Sequence, residues 1–190
     1  SANEANLSVL KNKDVPPNLK EKPLLPTLLR ELPFKMHIDS VVVKNSTIVY
    51  EQLNDDESET GQIQFHNFYS TGYNITNIDD ALAINEYAII DIETDFMQKG
   101  HLKSQFKFHT THEHDNFEAF GSINSMDIAE FNAILGPLAG VNVTGQMTGF
   151  NYDISGNKWN SKGTVNFTYN NLAVEVYGKD KDKKSRFLSG

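Results

Sequence analysis

Residues Gly61–Thr76 read "GQIQFHNFYSTGYNIT", and from Gly163 a second run opens the same way, "GTVNFTYNNLAVEVY". Each begins Gly, one residue, a β-branched aliphatic, one residue, Phe. Alternation of this kind sends every second side chain to one side of an extended backbone, so both runs predict strands with one apolar face. An offset of 102 aligns more than the opening: Ile48 falls on Phe150, Tyr50 on Tyr152, Gly61 on Gly163, Ile63 on Val165 and Phe65 on Phe167. A duplicated antiparallel hairpin accounts for the pattern, with chance likeness between two strands as the alternative.

The same period continues outward from these runs. "MHIDSVVVKNSTIVYEQ" (36–52) is rich in β-branched residues, and its apolar phase slips near Lys44–Asn45, as a bulge would make it do. "LNDDESET" (53–60) is an acidic loop. "YAIIDIETDFMQKGHLKSQFKFHT" predicts a hairpin turning at "MQKG", with Ala88, Ile90, Ile92 and Phe96 on one face and Leu102, Phe106 and Phe108 on the returning one. "THEHDN" turns the chain again. "FEAFGSI" then points Phe117, Ala119 and Ile123 inward, and three further strand-like runs follow around 140–154, 163–169 and 171–178, separated by "SGNKWNSKG" and "YNN". One segment reads as a helix, near 125–135. Ser125 can cap it, Gly136–Pro137 can break it, and Ile128, Phe131, Ile134 and Leu135 form an apolar stripe suited to packing on a sheet.

Residues 1–33 differ. Five of six prolines lie there, at Pro16, Pro17, Pro23, Pro26 and Pro33, the sixth being Pro137. Proline fixes φ and removes a donor, so 11–25 reads as an extended arm, followed by a short helix at "PTLLREL". The division is therefore a Pro-rich arm over 1–33, an antiparallel β domain over 34–178, and a polar tail over 179–190. Uncapped ends suggest a piece excised from a longer chain.

Composition narrows function mainly by exclusion. A net charge of −8 and pI near 5.2 lack the excess of Lys and Arg that a nucleic-acid surface needs. The basic run "KDKDKKSR" (179–186) is interleaved with Asp and reads as a solvated turn. With no cysteine, disulfides and thiolate chemistry are absent. No apolar run reaches the ~18 residues that span a bilayer. His109, His112 and His114 in "HTTHEHD" are weak metal candidates, because a hairpin turn accounts for their polarity and the spacing suits no helical zinc pair. Asp91, Glu93 and Asp95 alternate with apolar residues and read as the wet face of a strand. No phosphate loop or nucleophile elbow is visible. No enzyme, metal or cofactor is expected.

The run "LLPTLLRELPFKMHIDSVVVKNSTIVYEQ" (24–52), followed by "GQIQFHNFYSTGYNITN" (61–77), resembles the C-terminal region of AsmA-like proteins in their Bacteroidetes form. "FGSINSMDIAEFNAILGPLAGVNVTGQMTGFNYDI" (120–154) is similar to a later part of the same pattern. The likeness covers about 24–178 and rests on motif order. It implies a mainly β fold: a curled antiparallel sheet of hairpin repeats, with one or two short amphipathic helices packed on it. It further implies a periplasmic, non-enzymatic module, distantly TamB-like, whose parent is anchored in the inner membrane and serves outer-membrane biogenesis or phospholipid transport. The implied partner is phospholipid or another lipid, held on an apolar sheet face. Candidates for that face are Ile48, Tyr50, Ile63, Phe65, Ile90, Ile92, Phe106, Phe108, Phe117, Ile123, Phe150, Tyr152, Val165 and Phe167, which would form an ordinary core if the helix plugs the sheet. The alternative is a structural module that binds an envelope protein through sheet edges or the arm.

Overall fold

Two long hairpins flank three short strands, and each long hairpin grows from one copy of the Gly-x-β-x-Phe pattern. The computed structural model describes residues 2–11, 23–54, 58–177 and the backbone of 184–189. In chain order the elements are β1 (Ala2–Asn3), β2 (Asn6–Lys11), α1 (Leu25–Arg30), β3 (His37–Leu53), β4 (Thr60–Thr76), α2 (Asp79–Ile84), β5 (Tyr87–Phe96), β6 (Gly100–His109), β7 (Phe117–Ile123) and β8 (Met126–Asp127). A 3₁₀ turn at Ile128–Phe131 leads into α3 (Asn132–Ala139), and β9 (Val141–Gly156), β10 (Ser161–Tyr177) and β11 (Lys184–Ser189) complete the chain. The strands form one curled, unclosed sheet in the order β1-β3-β4-β5-β6-β7-β9-β10-β11, with β2 also on β3 and β8 on β9. Every pairing is antiparallel except those of β1 and β2 with β3.

The echo in the sequence is an echo of register. In one hairpin Ile48 pairs with Phe65, Tyr50 with Ile63 and Gln52 with Gly61. In the other, Phe150 pairs with Phe167, Tyr152 with Val165 and Ile154 with Gly163. The offset of 102 thus carries one ladder onto the other. Both opening glycines sit where a side chain has no room. A Cβ on Gly61 would lie 2.7 Å from Leu138 Cγ, and one on Gly163 would lie 2.3 Å from the Asp153 carbonyl oxygen.

β3 slips register between Val43 and Ser46, where Asn45 adopts φ 50°, which is the bulge its pattern predicts. The β5–β6 turn puts Met97 and Gln98 at φ 51° and 61°, a left-handed pair suited to the twist of a tight hairpin. "YNN" separates no strands: Asn171 is left-handed, the ladder shifts between Asn170 and Ala173, and β10 resumes against β9. The tail contributes the backbone of β11, while 178–183 lie outside the described residues. The arm likewise begins as sheet, in β1 and β2, and its 12–22 lie outside them too.

The expected helix near 125–135 lies further along the chain. Met126–Asp127 extend as β8, the Asp127 carboxylate accepts from Ala129 N–H at the 3₁₀ turn, and α3 runs through Pro137 to Ala139, where Gly140 (φ 61°) closes it. Proline clashes with the Cβ of the residue before it, and here that residue is Gly136, which has none. α2 was not anticipated. Its six residues bury none fully, so no apolar stripe marked it.

α3 positions the core. It packs against β4 and β9, with a lighter touch on β3. Those long strands outrun β5–β7, and the helix joins their projecting ends. Phe96, Ile123, Met126, Ile128, Val143 and Met147 are buried there, with Ile63, Phe65, Phe131 and Leu135 packed around them. At the opposite end α1 docks through Pro26 and Leu29 and through Asp115, a buried carboxylate in the β6–β7 turn. Thr27 Oγ1 donates to Asp115 over 2.6 Å and Arg30 donates to it as well. Arg30 also donates to the carbonyls of Thr110 and His112.

Candidate functional site

Directly paired residues on adjacent strands project to the same side of a sheet, so register alone assigns the faces. Phe65 pairs with Phe96, Ala88 with Phe108, Ile90 with Phe106 and Ile92 with Ser104. Phe108 pairs with Phe117, Phe106 with Ala119 and Ser104 with Gly121. Gly121 then pairs with Tyr152 and Ile123 with Phe150, and these lead on to Val165 and Phe167. All fourteen candidates from Ile48 to Phe167 therefore share one face, the face on which α3 sits.

Their burial separates core from surface. Ile123 is buried, while Ile48, Tyr50, Ile63, Phe65, Ile90, Ile92, Phe106, Phe108, Phe117, Phe150 and Tyr152 are only half-buried. Val165 is 57% exposed and Phe167 39%. Phe65 belongs with the core, edge-on to Phe96 at 5.6 Å. Further from α3 the face is filled within its own plane, aromatic rings lying over small neighbours. Tyr152 reaches across Gly121 so that its hydroxyl meets Ser104 Oγ at 2.6 Å. A Cβ on Gly121 would come within 2.7 Å of that hydroxyl. Phe106 stacks parallel to Phe108, and Phe150 contacts both Tyr152 and Phe167. The face ends at the outer edge of β10, where among the described residues no strand pairs before Ala173.

The reverse face carries the acidic positions. Asp91 accepts from Gln105 over 2.7 Å. His101 lies between two carboxylates, 2.7 Å from Glu93 and 3.3 Å from Asp95, and Lys103 lies 3.3 Å from Glu93. Hydrogen bonding from His101, then from Lys103, holds the Glu93 carboxyl below its ordinary range. Asn67, then His101, does the same for Asp95. Beside this network lies a hollow of about 710 Å³, which the sequence reading missed. Its walls include Tyr69, Tyr73 and Phe120, between 42% and 47% exposed. The available signal was aromatic residues at positions that the alternation assigns to solvent.

The three histidines of the β6–β7 turn do not converge. His109, His112 and His114 follow one another ring against ring at 5.4 and 5.2 Å, and His114 continues onto Trp159 at 4.5 Å. Among the described residues no group of three His, Asp or Glu side chains is arranged to hold a metal ion, and no helix is long and apolar enough to cross a membrane.

Fold and faces together define a mainly β chain built on one open, chiefly antiparallel sheet, apolar on one side and polar-aromatic on the other. No family model, curated protein or solved structure matches the chain.

Proposed function

We propose that this chain is a non-enzymatic module of an AsmA-like envelope protein, located in the periplasm, that holds lipid acyl chains on the apolar face of its open sheet. One observation carries the reading. Thirteen apolar or aromatic positions predicted from the sequence fall on one face, and none of them is fully buried. A face with that composition left partly uncovered calls for an apolar occupant. Each methylene removed from water there contributes up to about 0.8 kcal/mol, so even part of an acyl chain would be held. The absence of a basic surface excess, at a net charge of −8, agrees with recognition through the tails and not through an anionic headgroup.

Native mass spectrometry of the chain purified from bacteria, with organic extraction of bound lipid, tests this. Val165→Asp and Phe167→Asp are suitable variants because both positions are exposed at the outer edge, whereas Phe65 packs against the core. Co-purifying phospholipid that both variants lose, with unchanged circular dichroism, supports the proposal. A clean apo mass and no uptake from vesicles containing phosphatidylethanolamine overturns it. The edge of β10 before Ala173, unpaired among the described residues and carrying exposed Val165, Phe167 and Tyr169, favours a second reading: a structural module that adds a partner's strand to its sheet. An apo chain that self-associates through this edge, and becomes monomeric as Val165→Lys, would be its signature.

A further inference from the structure

The hollow opens on the polar face, where Tyr69, Tyr73 and Phe120 stand, although Ile92, Ser104, Gly121 and Tyr152 of the apolar-face rows also border it. We propose that it is a binding site for a neutral oligosaccharide. Two register rows build its floor and walls. Thr71 pairs with Asp91, Asp91 with Gln105, Gln105 with Phe120 and Phe120 with Asp153; beside them Tyr69 pairs with Glu93, Glu93 with Lys103 and Lys103 with Ser122. Five strands at about 4.8 Å spacing give a trough roughly 19 Å long. Its 710 Å³ is the size of a small-molecule site.

The lining chemistry selects the ligand class. Three exposed aromatic rings offer flat apolar surfaces to the C–H faces of sugar rings. Between them, amide, hydroxyl, ammonium and carboxylate groups offer both donors and acceptors to hydroxyls. These polar groups are cross-braced before any ligand arrives, Asp91 by Gln105 and Glu93 by His101 and Lys103, so little ordering remains to be done on binding.

Other classes fit less well. An acyl chain would strip water from Asp91, Glu93 and Lys103 and return no hydrogen bonds. A phosphate would face three carboxylates, those of Asp91, Glu93 and Asp153, against the single ammonium of Lys103. A polyamine would find Asp91 and Glu93 already engaged. An extended peptide needs a free strand edge, and the floor here is mid-sheet backbone already paired on both sides.

The test is amide chemical-shift mapping of the full chain titrated with cellohexaose, maltohexaose, xylohexaose and hexa-N-acetylchitohexaose at millimolar concentration. Spermidine and decylphosphocholine serve as contrasting probes. The expected result is that at least one glycan shifts amides around Tyr69, Asp91, Gln105 and Phe120. Phe120→Ala and Tyr73→Ala should each weaken that binding about tenfold without altering thermal unfolding. Val165→Asp, on the other face, should leave it unchanged. No shift with any of the four glycans overturns the proposal. So does a response confined to spermidine or decylphosphocholine, and so do glycan shifts that persist undiminished in both aromatic variants.

Discussion

Replacing Arg30 by Met keeps the aliphatic stem and deletes the guanidinium, which isolates what that group contributes to docking α1. Four hydrogen bonds disappear: one to the Asp115 carboxylate, two to the Thr110 and His112 carbonyls and one to Thr27 Oγ1. Asp115 is 1% exposed and keeps a single donor, Thr27. Removing the partner of a fully buried charge costs about 3–5 kcal/mol. The Arg30 side chain is 36% exposed, so water replaces part of what is lost and the expectation falls to about 2–3 kcal/mol. For a chain of 190 residues that lowers Tm by about 5–10 °C. Asp115→Asn removes the charge while keeping a residue that tolerates the φ of 55° found there, at about 1–2 kcal/mol. If the two groups act on each other, the double variant falls short of the sum by about 1 kcal/mol or more. Urea denaturation of the four proteins measures this. A strictly additive cycle, or a loss below about 0.5 kcal/mol for Arg30→Met, would refute the reasoning and leave Pro26 and Leu29 as the whole anchor.

Gly121→Ala forces a methyl against the Lys103 carbonyl, a backbone atom that cannot swing away, and against Tyr152; the expected cost is about 2–3 kcal/mol by urea denaturation, with the tyrosine hydroxyl released from Ser104 and visible in ultraviolet difference spectra. Carbon-detected titration should find the Glu93 and Asp95 carboxyls ionising below their ordinary ranges, and His101→Ala should raise both, Glu93 more because His101 is its leading donor while Asp95 keeps Asn67. Because the folded-state values are depressed, any stability these groups lend is present above the ordinary carboxylate range and is lost as pH falls through the lowered values. Gly163→Ala should cost more than Gly61→Ala, since the first methyl meets the backbone of Asp153 and Ile154 and the second chiefly the Leu138 side chain, a contrast that paired thermal melts would show.

Much of the sheet was legible because strand patterning has a period of two and faces follow from it. Ala88 to Phe96 and Leu102 to Phe108 alternate apart from Ile89, Thr94 and Ser104, and their ladder pairs run without a slip. The bulge at Asn45 was legible as a phase error. What escaped was whatever lacked periodicity. α2 has no fully buried stripe, and Asn6–Lys11 is exposed throughout, so burial did not mark it as a strand. "YNN" looked like a turn because left-handed Asn serves turns and bulges alike. α3 was displaced because Gly-Pro normally ends helices, whereas here the glycine makes the proline tolerable. The apolar face could be enumerated residue by residue. The hollow could not, because it depends on sheet twist and on which outward residues from five separate strands come together.

The repeated ladder has a kinetic side. From β3 to β7, and again from β9 to β11, strands that follow one another in the chain are neighbours in the sheet, so most pairings close short loops and can form early. Yet β4 and β10 carry the same apolar spacing, and so do β3 and β9. Either partner could therefore capture the wrong mate with its hydrophobic face correctly oriented. Such a mispaired intermediate would satisfy its local ladder and could escape only by unzipping. The glycines alone leave that degeneracy in place, since the offset of 102 carries Gly61 onto Gly163; what differs is the neighbour each one admits. Gly61 admits Leu138 of α3, whereas Gly163 admits the Asp153 carbonyl of its own hairpin partner. The neighbours, and not the glycines, therefore distinguish the two hairpins: a helix side chain closes over one and a strand carbonyl over the other.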